Sequence, residues 1–255
     1  MCSPSQRSCL VTTPAVTCTQ VVNTRRHVPF SSVADYTDIF WAQHYCQCGQ
    51  PDKAQNKLTT ALAHFTRTQD AVGIGKSLNG LSAVYLAQGC YDRALAYSQA
   101  ATAILGDTDA THDYAIALYQ LGVSHFELQH WPQAEKILEQ ALTQFYTLST
   151  LEQENRTLLY LGRVYAEQQK LLFALACYES VLDSLITNPF LENRRDLLGD
   201  VLKAVAQLSQ HKQAGKAAIA GLQSILEEYS LAAYHLQIAA HLQPSRQSWP
   251  ARIEE

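Results

Sequence analysis

The chain has 255 residues, 47% of them hydrophobic and only 16% charged, a balance that supports a globular core and excludes a wholly disordered chain. A net charge of −4 and a pI near 6.1 argue against nucleic-acid binding, which needs a basic face. No run reaches the roughly 18 apolar residues of a membrane span, so stable membrane insertion is not expected. Seven cysteines, an odd number in a chain large enough to fold without staples, fit a reduced, cytoplasmic setting.

Residues 1–34 stand apart from the rest. They are rich in Ser, Thr and Val, are interrupted by Pro4, Pro14 and Pro29, and have no acidic residue before Asp35. The segment reads as a disordered tail. Its acid-poor composition with Arg7, Arg25 and Arg26 also admits a transit peptide, which would place the protein in an organelle stroma or matrix.

From Asp35 the apolar residues recur at helical spacing, with Tyr36, Ile39, Phe40 and Gln43 beside Ala42 and Tyr45. Gly49 ends this helix and Pro51 opens the next, which carries the stripe Ala54, Leu58, Ala61 and Leu62. A second unit runs from about Asp70 to Gly106 and turns at Gly89–Cys90. A third runs from about Thr111 to Leu148 and turns at Gln129–His130, with Pro132 opening its second helix. The fourth is expected to start with a capping box, Ser149 with Glu152, to turn near Gln169–Lys170 and to stop at Asn188–Pro189. A fifth unit is degenerate: Ala214 is in phase with Ala174, but Val201–Leu202 stands where others have Leu–Gly. Leu222 to Leu242 reads as the end of the last helix plus a capping helix, and residues 244–255 as a loose tail.

Leu121–Gly122, His125, Trp131, Ala134 and Ala141 return forty residues later as Leu161–Gly162, Tyr165, Leu171, Ala174 and Val181. Forty residues earlier they stand as Leu81–Ser82, Tyr85, Tyr91, Ala94 and Ala101. A chain with this period is a stack of helix pairs, none of which can bury its apolar faces alone. Residues 35–243 are therefore predicted to form an all-α solenoid of about five antiparallel helix pairs plus a cap. Gly122, Gly162, Ala94, Ala134 and Ala174 are expected where two helix backbones approach closely, with Tyr85, Tyr91, Trp131 and Tyr165 filling the space between pairs.

At Leu121–Gly122 through Ala134 and Ala141, and at Leu161–Gly162–x–x–Tyr165 through Ala174 and Tyr178, the chain resembles the tetratricopeptide repeat family over about residues 35–220. The period exceeds the family's usual thirty-four residues and is similar to the elongated subclass of kinesin light chains and bacterial regulators. The resemblance implies a right-handed superhelical solenoid whose first helices line a concave, partner-binding face. Carried over position by position, that face comprises Tyr36, Phe40 and Gln43 with Ile39, then Lys76 and Asn79 with Ala83, then Tyr119, Gln120 and Glu127 with Val123. Arg156, Tyr160 and Arg163 with Glu167, and Lys203 with Asp200, continue it. The groove would be aromatic and amide-rich at one end and charged at the other, with Arg156 and Arg163 free to receive an acidic segment. The carboxylate clamp of chaperone-tail receptors is missing, because Ile39, Gln43, Gly80, Ile116 and Gln120 occupy its positions.

The implied function is a non-enzymatic scaffold, adaptor or assembly factor that binds a partner-protein segment. The alternative is a regulatory solenoid that changes shape when a peptide or small ligand enters. No catalytic site, metal or cofactor is expected. His44, Cys46 and Cys48 alternate on a helix and cannot converge on a metal, so the thiols read as buried packing groups. Gly73–Ile74–Gly75–Lys76 is too short for a phosphate loop, and His112, Asp113, His125 and His130 read as helix-surface or packing residues. A metal or redox role for the tail residues Cys2, Cys9 and Cys18 is a third, separate expectation, and no oligomeric state is assigned.

Overall fold

The computed structural model describes residues 36–188, 191 and 194–210. Among them are nine α-helices and no strand: α1 (Thr37–Gln47), α2 (Pro51–Thr68), α3 (Ala71–Ala87), α4 (Tyr91–Leu105), α5 (Thr111–Glu127), α6 (Trp131–Leu148), α7 (Leu151–Glu167), α8 (Leu171–Thr187) and α9 (Arg194–Gln210). Each helix packs on its neighbours in sequence, and α3 with α5 and α5 with α7 also touch, which is the contact pattern of a solenoid. The expected tail, the second helix of unit five with Ala214, the capping helix and the last dozen residues lie outside the described residues.

One turn is repeated four times. At the end of each first helix a residue adopts the left-handed conformation: Gly49 (φ 67°), Gly89 (φ 71°), Gln129 (φ 62°) and Gln169 (φ 60°). The next N–H reaches back five residues, from Gln50 to Tyr45, Cys90 to Tyr85, His130 to His125 and Lys170 to Tyr165. This bond closes the helix and starts its partner within three residues. Glycine suits the conformation, whereas a Cβ there costs roughly 1–2 kcal/mol, which the third and fourth units bear.

Three expectations need correcting. Ser149 is not an N-cap; at φ 54° it is the left-handed C-cap of α6, and Glu152 instead pairs with Arg156 at 3.1 Å. The helix before it claims the serine first, because its last carbonyls need partners.

The glycines, secondly, chiefly admit large side chains, although at Gly122 the main-chain N of Leu138 also lies 3.4 Å from where a Cβ would stand. A Cβ on Gly122 would meet Leu138 Cγ at 2.6 Å, and one on Gly162 would collide with the ring of Tyr178. On α3, Gly73, Gly75 and Gly80 make room in the same way for Phe65, Leu105 and Leu58. Each glycine is a notch for a large side chain of a second helix. Of the four aromatics expected to fill the stack only Tyr85 is buried; Tyr91, Trp131 and Tyr165 are half-buried.

Thirdly, the cysteines of α1 are not packing groups. Cys46 and Cys48 are exposed, and Cys48 Sγ lies 3.7 Å from His44 Nε2 one turn earlier. No second unit precedes α1 among the described residues to cover them. The described residues hold no group of three or more His, Cys, Asp or Glu placed to bind a metal ion.

At the turn of unit three the Nδ1 atoms of His125 and His130 are 3.3 Å apart, one ring donating to the other. Burial, and then the neighbouring imidazole, hold His125 below its ordinary pKa. The unfolded chain therefore binds a proton there more readily, so this contribution to stability is present above about pH 6.5 and is lost as pH falls through that value towards the folded pKa. His125→Gln is expected to flatten the slope of stability against pH below about 6.5, read as urea midpoints at a series of falling pH values.

Candidate functional site

The first helices of units one to three each turn one face towards a shared cavity of about 570 Å³. The forty-residue register places this face at Tyr36, Ile39, Phe40 and Gln43, and then at Lys76, Asn79 and Ala83. Asp113, Ile116 and Gln120 of α5 complete it. Spacings of three and four keep each set on one side of its helix.

Lys76 and Asp113, the ionic groups on the lining, face each other with Nζ 3.5 Å from Oδ2. The ammonium also sits 5.4 Å from the centre of the Tyr36 ring. The Tyr36 hydroxyl donates to Asp70 Oδ2 at 2.8 Å, while Asp70 Oδ1 accepts the Gly73 N–H at 3.0 Å and caps α3. One carboxylate thus ties α1 to the start of α3. The remaining wall is largely apolar, with Ile39, Ala42, Leu58, Gly80 and Ile116.

Two amides in this wall are incompletely bonded. Asn79 Nδ2 donates to the main-chain oxygen of Asp113 at 2.9 Å, but Asn79 Oδ1 is buried without a hydrogen-bond partner. Gln120 Oε1, on the next helix, is buried and equally unpartnered. Asn79 and Gln120 are only 6% and 8% exposed. An orphaned acceptor costs roughly 1–3 kcal/mol.

A smaller hollow of about 150 Å³ continues the face towards α7, lined by Ile116, Tyr119, Gln120, Phe145, Gln153 and Arg156. Beyond it the aromatics pack on one another: Tyr119 meets Tyr160 edge-on at 5.8 Å, and Phe126 meets Tyr160 at 5.7 Å. Burial pushes the hydroxyls of Tyr119 and Tyr160 above their ordinary pKa, so both stay neutral. The guanidinium of Arg163 lies 5.1 Å over the Tyr160 ring.

Of the twelve residues expected in the groove, Tyr36, Phe40, Gln43, Lys76, Asn79 and Gln120 line the large cavity. Tyr119 and Arg156 line the small one, again with Gln120. Glu127, Tyr160, Arg163 and Lys203 line neither. Glu127 bonds the Tyr91 hydroxyl, and Lys203 pairs with Asp200 at 3.2 Å on the exposed side of α9. Arg156 pairs with Glu152 at 3.1 Å, and the Arg163 guanidinium lies over the Tyr160 ring with its Nε buried and without a hydrogen-bond partner. Asp113 and Gln153 also line these hollows; they stand forty apart, at a register position for which no lining residue was expected.

The tetratricopeptide repeat family model matches residues 36–107 and 73–147. No curated protein matches the sequence significantly. Among solved structures, the nearly identical TPR-like repeats assigned to a kinesin light chain of Podosopora anserina are 19% identical, with a TM-score of 0.58, covering 79% of this chain and 95% of that one. BtubC (BKLC) from P. vanneervenii is 16% identical over 84% of this chain and 82% of its own, with a TM-score of 0.60. The apo form of RapI is 18% identical over 79% of this chain and 64% of its own, with a TM-score of 0.53. This chain spans a little under two thirds of RapI, and at these identities the likeness is one of fold. Among the described residues no helix is long and apolar enough to cross a membrane.

Proposed function

The chain belongs to the tetratricopeptide repeat family, and from that premise we propose that it is a non-enzymatic scaffold holding a segment of a partner protein against the concave face of α1, α3 and α5. The observation that carries the reading is the pair of unpartnered amide oxygens, Asn79 Oδ1 and Gln120 Oε1, in residues that line the cavity. A peptide brings backbone N–H donors, and small rotations of the two side chains would let them accept such bonds. Because Lys76 and Asp113 offset each other, the segment that fits is predominantly uncharged, with apolar side chains against Ile39 and Ile116. Phe40, 66% exposed on the rim, supplies an aromatic anchor.

Ala83 is exposed, lines the cavity and belongs to no described core cluster, which makes it the place to block the groove without disturbing the stack. Affinity purification from the native host with wild type and Ala83→Arg is expected to recover at least about tenfold less partner with the variant, the equivalent of about 1.4 kcal/mol. Equal recovery from a variant with an unchanged melting temperature would sink the groove reading.

A further inference from the structure

Unit three differs from the other described units at its turn. The carbonyl that closes the turn belongs to Tyr45, Tyr85 and Tyr165 in units one, two and four, and the N–H it accepts belongs to Gln50, Cys90 and Lys170. In unit three both residues are histidine, His125 and His130. The backbone holds this pair in place. The His130 N–H donates to the His125 carbonyl at 2.9 Å, and left-handed Gln129 (φ 62°) fixes the path between them. The His130 carbonyl accepts the Ala134 N–H at 3.0 Å and so starts α6. Phe126 and Trp131, the flanking residues, pack ring against ring at 5.3 Å. On this frame the two imidazole centres are 5.5 Å apart, and the Nδ1 atoms face each other at 3.3 Å.

That separation is the edge of a zinc tetrahedron. Zn–N bonds of about 2.0–2.1 Å at the tetrahedral angle set two ligand nitrogens about 3.3–3.4 Å apart. A square-planar ion would draw neighbouring nitrogens to about 2.9 Å. His125 is half-buried and His130 exposed, which leaves a route in from solvent. Neither histidine lines a hollow of the concave face, so the pair is independent of the groove.

We propose that His125 and His130 bind one zinc ion through their Nδ1 atoms at the turn between α5 and α6. Two imidazoles fall short of the four ligands of a closed structural site, and the described residues offer no group of three or more His, Cys, Asp or Glu to complete it. Water therefore holds the two remaining positions. In the free protein one ring donates its Nδ1 proton to the other. On binding, that proton leaves Nδ1 and Nε2 takes one up from solvent, so both rings stay neutral and both Nδ1 lone pairs face the ion. Zinc thus replaces a hydrogen bond between geometrically prepared ligands.

The test is a zinc titration of the reduced full chain at about pH 7.5, where free imidazole is largely neutral. Long-range proton–nitrogen spectra follow each imidazole nitrogen, so zinc held by thiols elsewhere is not mistaken for this site. The Nδ1 signals of His125 and His130 are expected to shift together and to saturate together. His130 is exposed and belongs to no described core cluster, so His130→Gln leaves the stack intact. It should weaken the zinc response of His125 by at least about tenfold, because a lone imidazole remains. His125→Gln should do the same to His130. Nδ1 signals that stay in place at a large excess of zinc overturn the proposal, and so does a His125 response unchanged in His130→Gln. Shifts at Nε2 instead, or light scattering that gives the mass of two chains when zinc is added, overturn it in favour of a site shared between copies.

Discussion

Replacing Gly162 by valine is expected to destabilise the protein by about 3 kcal/mol, because the new side chain must occupy space already filled by the ring of Tyr178. Tyr178 is among the largest fully buried side chains and lies in a cluster with Leu159, Val181, Leu182 and Val201, so the ring has nowhere to go. Gly162→Ala should also destabilise, although alanine favours helix over glycine by about 1 kcal/mol. The decisive variant is the pair Gly162→Ala with Tyr178→Leu. Unit three has a leucine, Leu138, in the corresponding place against Gly122. The double substitution should therefore cost less than the sum of its parts, with a coupling on the order of 1 kcal/mol measured by urea titration. Strict additivity would show that the ring is not the obstacle.

Gln120→Met is expected to move stability and binding in opposite directions. Gln120 Oε1 is buried without a donor, so an apolar side chain of similar length removes that penalty and should stabilise the free protein by about 1 kcal/mol. For a chain of this size such a gain raises the melting temperature by about 2–4 °C. If the orphaned oxygen is kept for a partner's N–H, the same change should weaken partner recovery by about tenfold. A residue retained against stability has a reason to be there. Thermal scans and partner recovery, made on one preparation, decide the matter; a stabilised variant that binds as well as wild type would remove the amide from the site.

The repeat frame was legible because turn and packing residues recur in one register. Gly49 with Pro51, Gly89 and Pro132 announce three of the turns, whereas Gln169, a poor left-handed former with no proline after it, is found by counting forty from Gln129 and those glycines. The face lining the cavity was readable for the same reason. Asp113 was not, since a carboxylate in the first turn of a helix is already explained by the N-terminal dipole. The partner of each glycine was also hidden. A notch declares that something large is near, but whether the filler comes from the same unit or the one before depends on volumes that no local pattern records. Ser149 failed for a related reason, because one serine can close the helix behind it or open the one ahead. The exposure of Cys46 and Cys48 follows from what lies beyond α1, which their own spacing does not report.

The notches carry a consequence for how such a chain can change over generations. Phe65 and Leu58 reach forward into Gly73 and Gly80 of the following unit, whereas Leu105, Leu138 and Tyr178 reach back into Gly75, Gly122 and Gly162 of their own. Only the first two notches join one unit to the next; the other three are filled from inside their own unit. Recombination that duplicates or exchanges the third or fourth unit would carry notch and filler together, whereas loss of the first unit would leave Gly73 and Gly80 without the side chains they admit. The first two units are thereby inherited as one piece, and the later ones as separable parts.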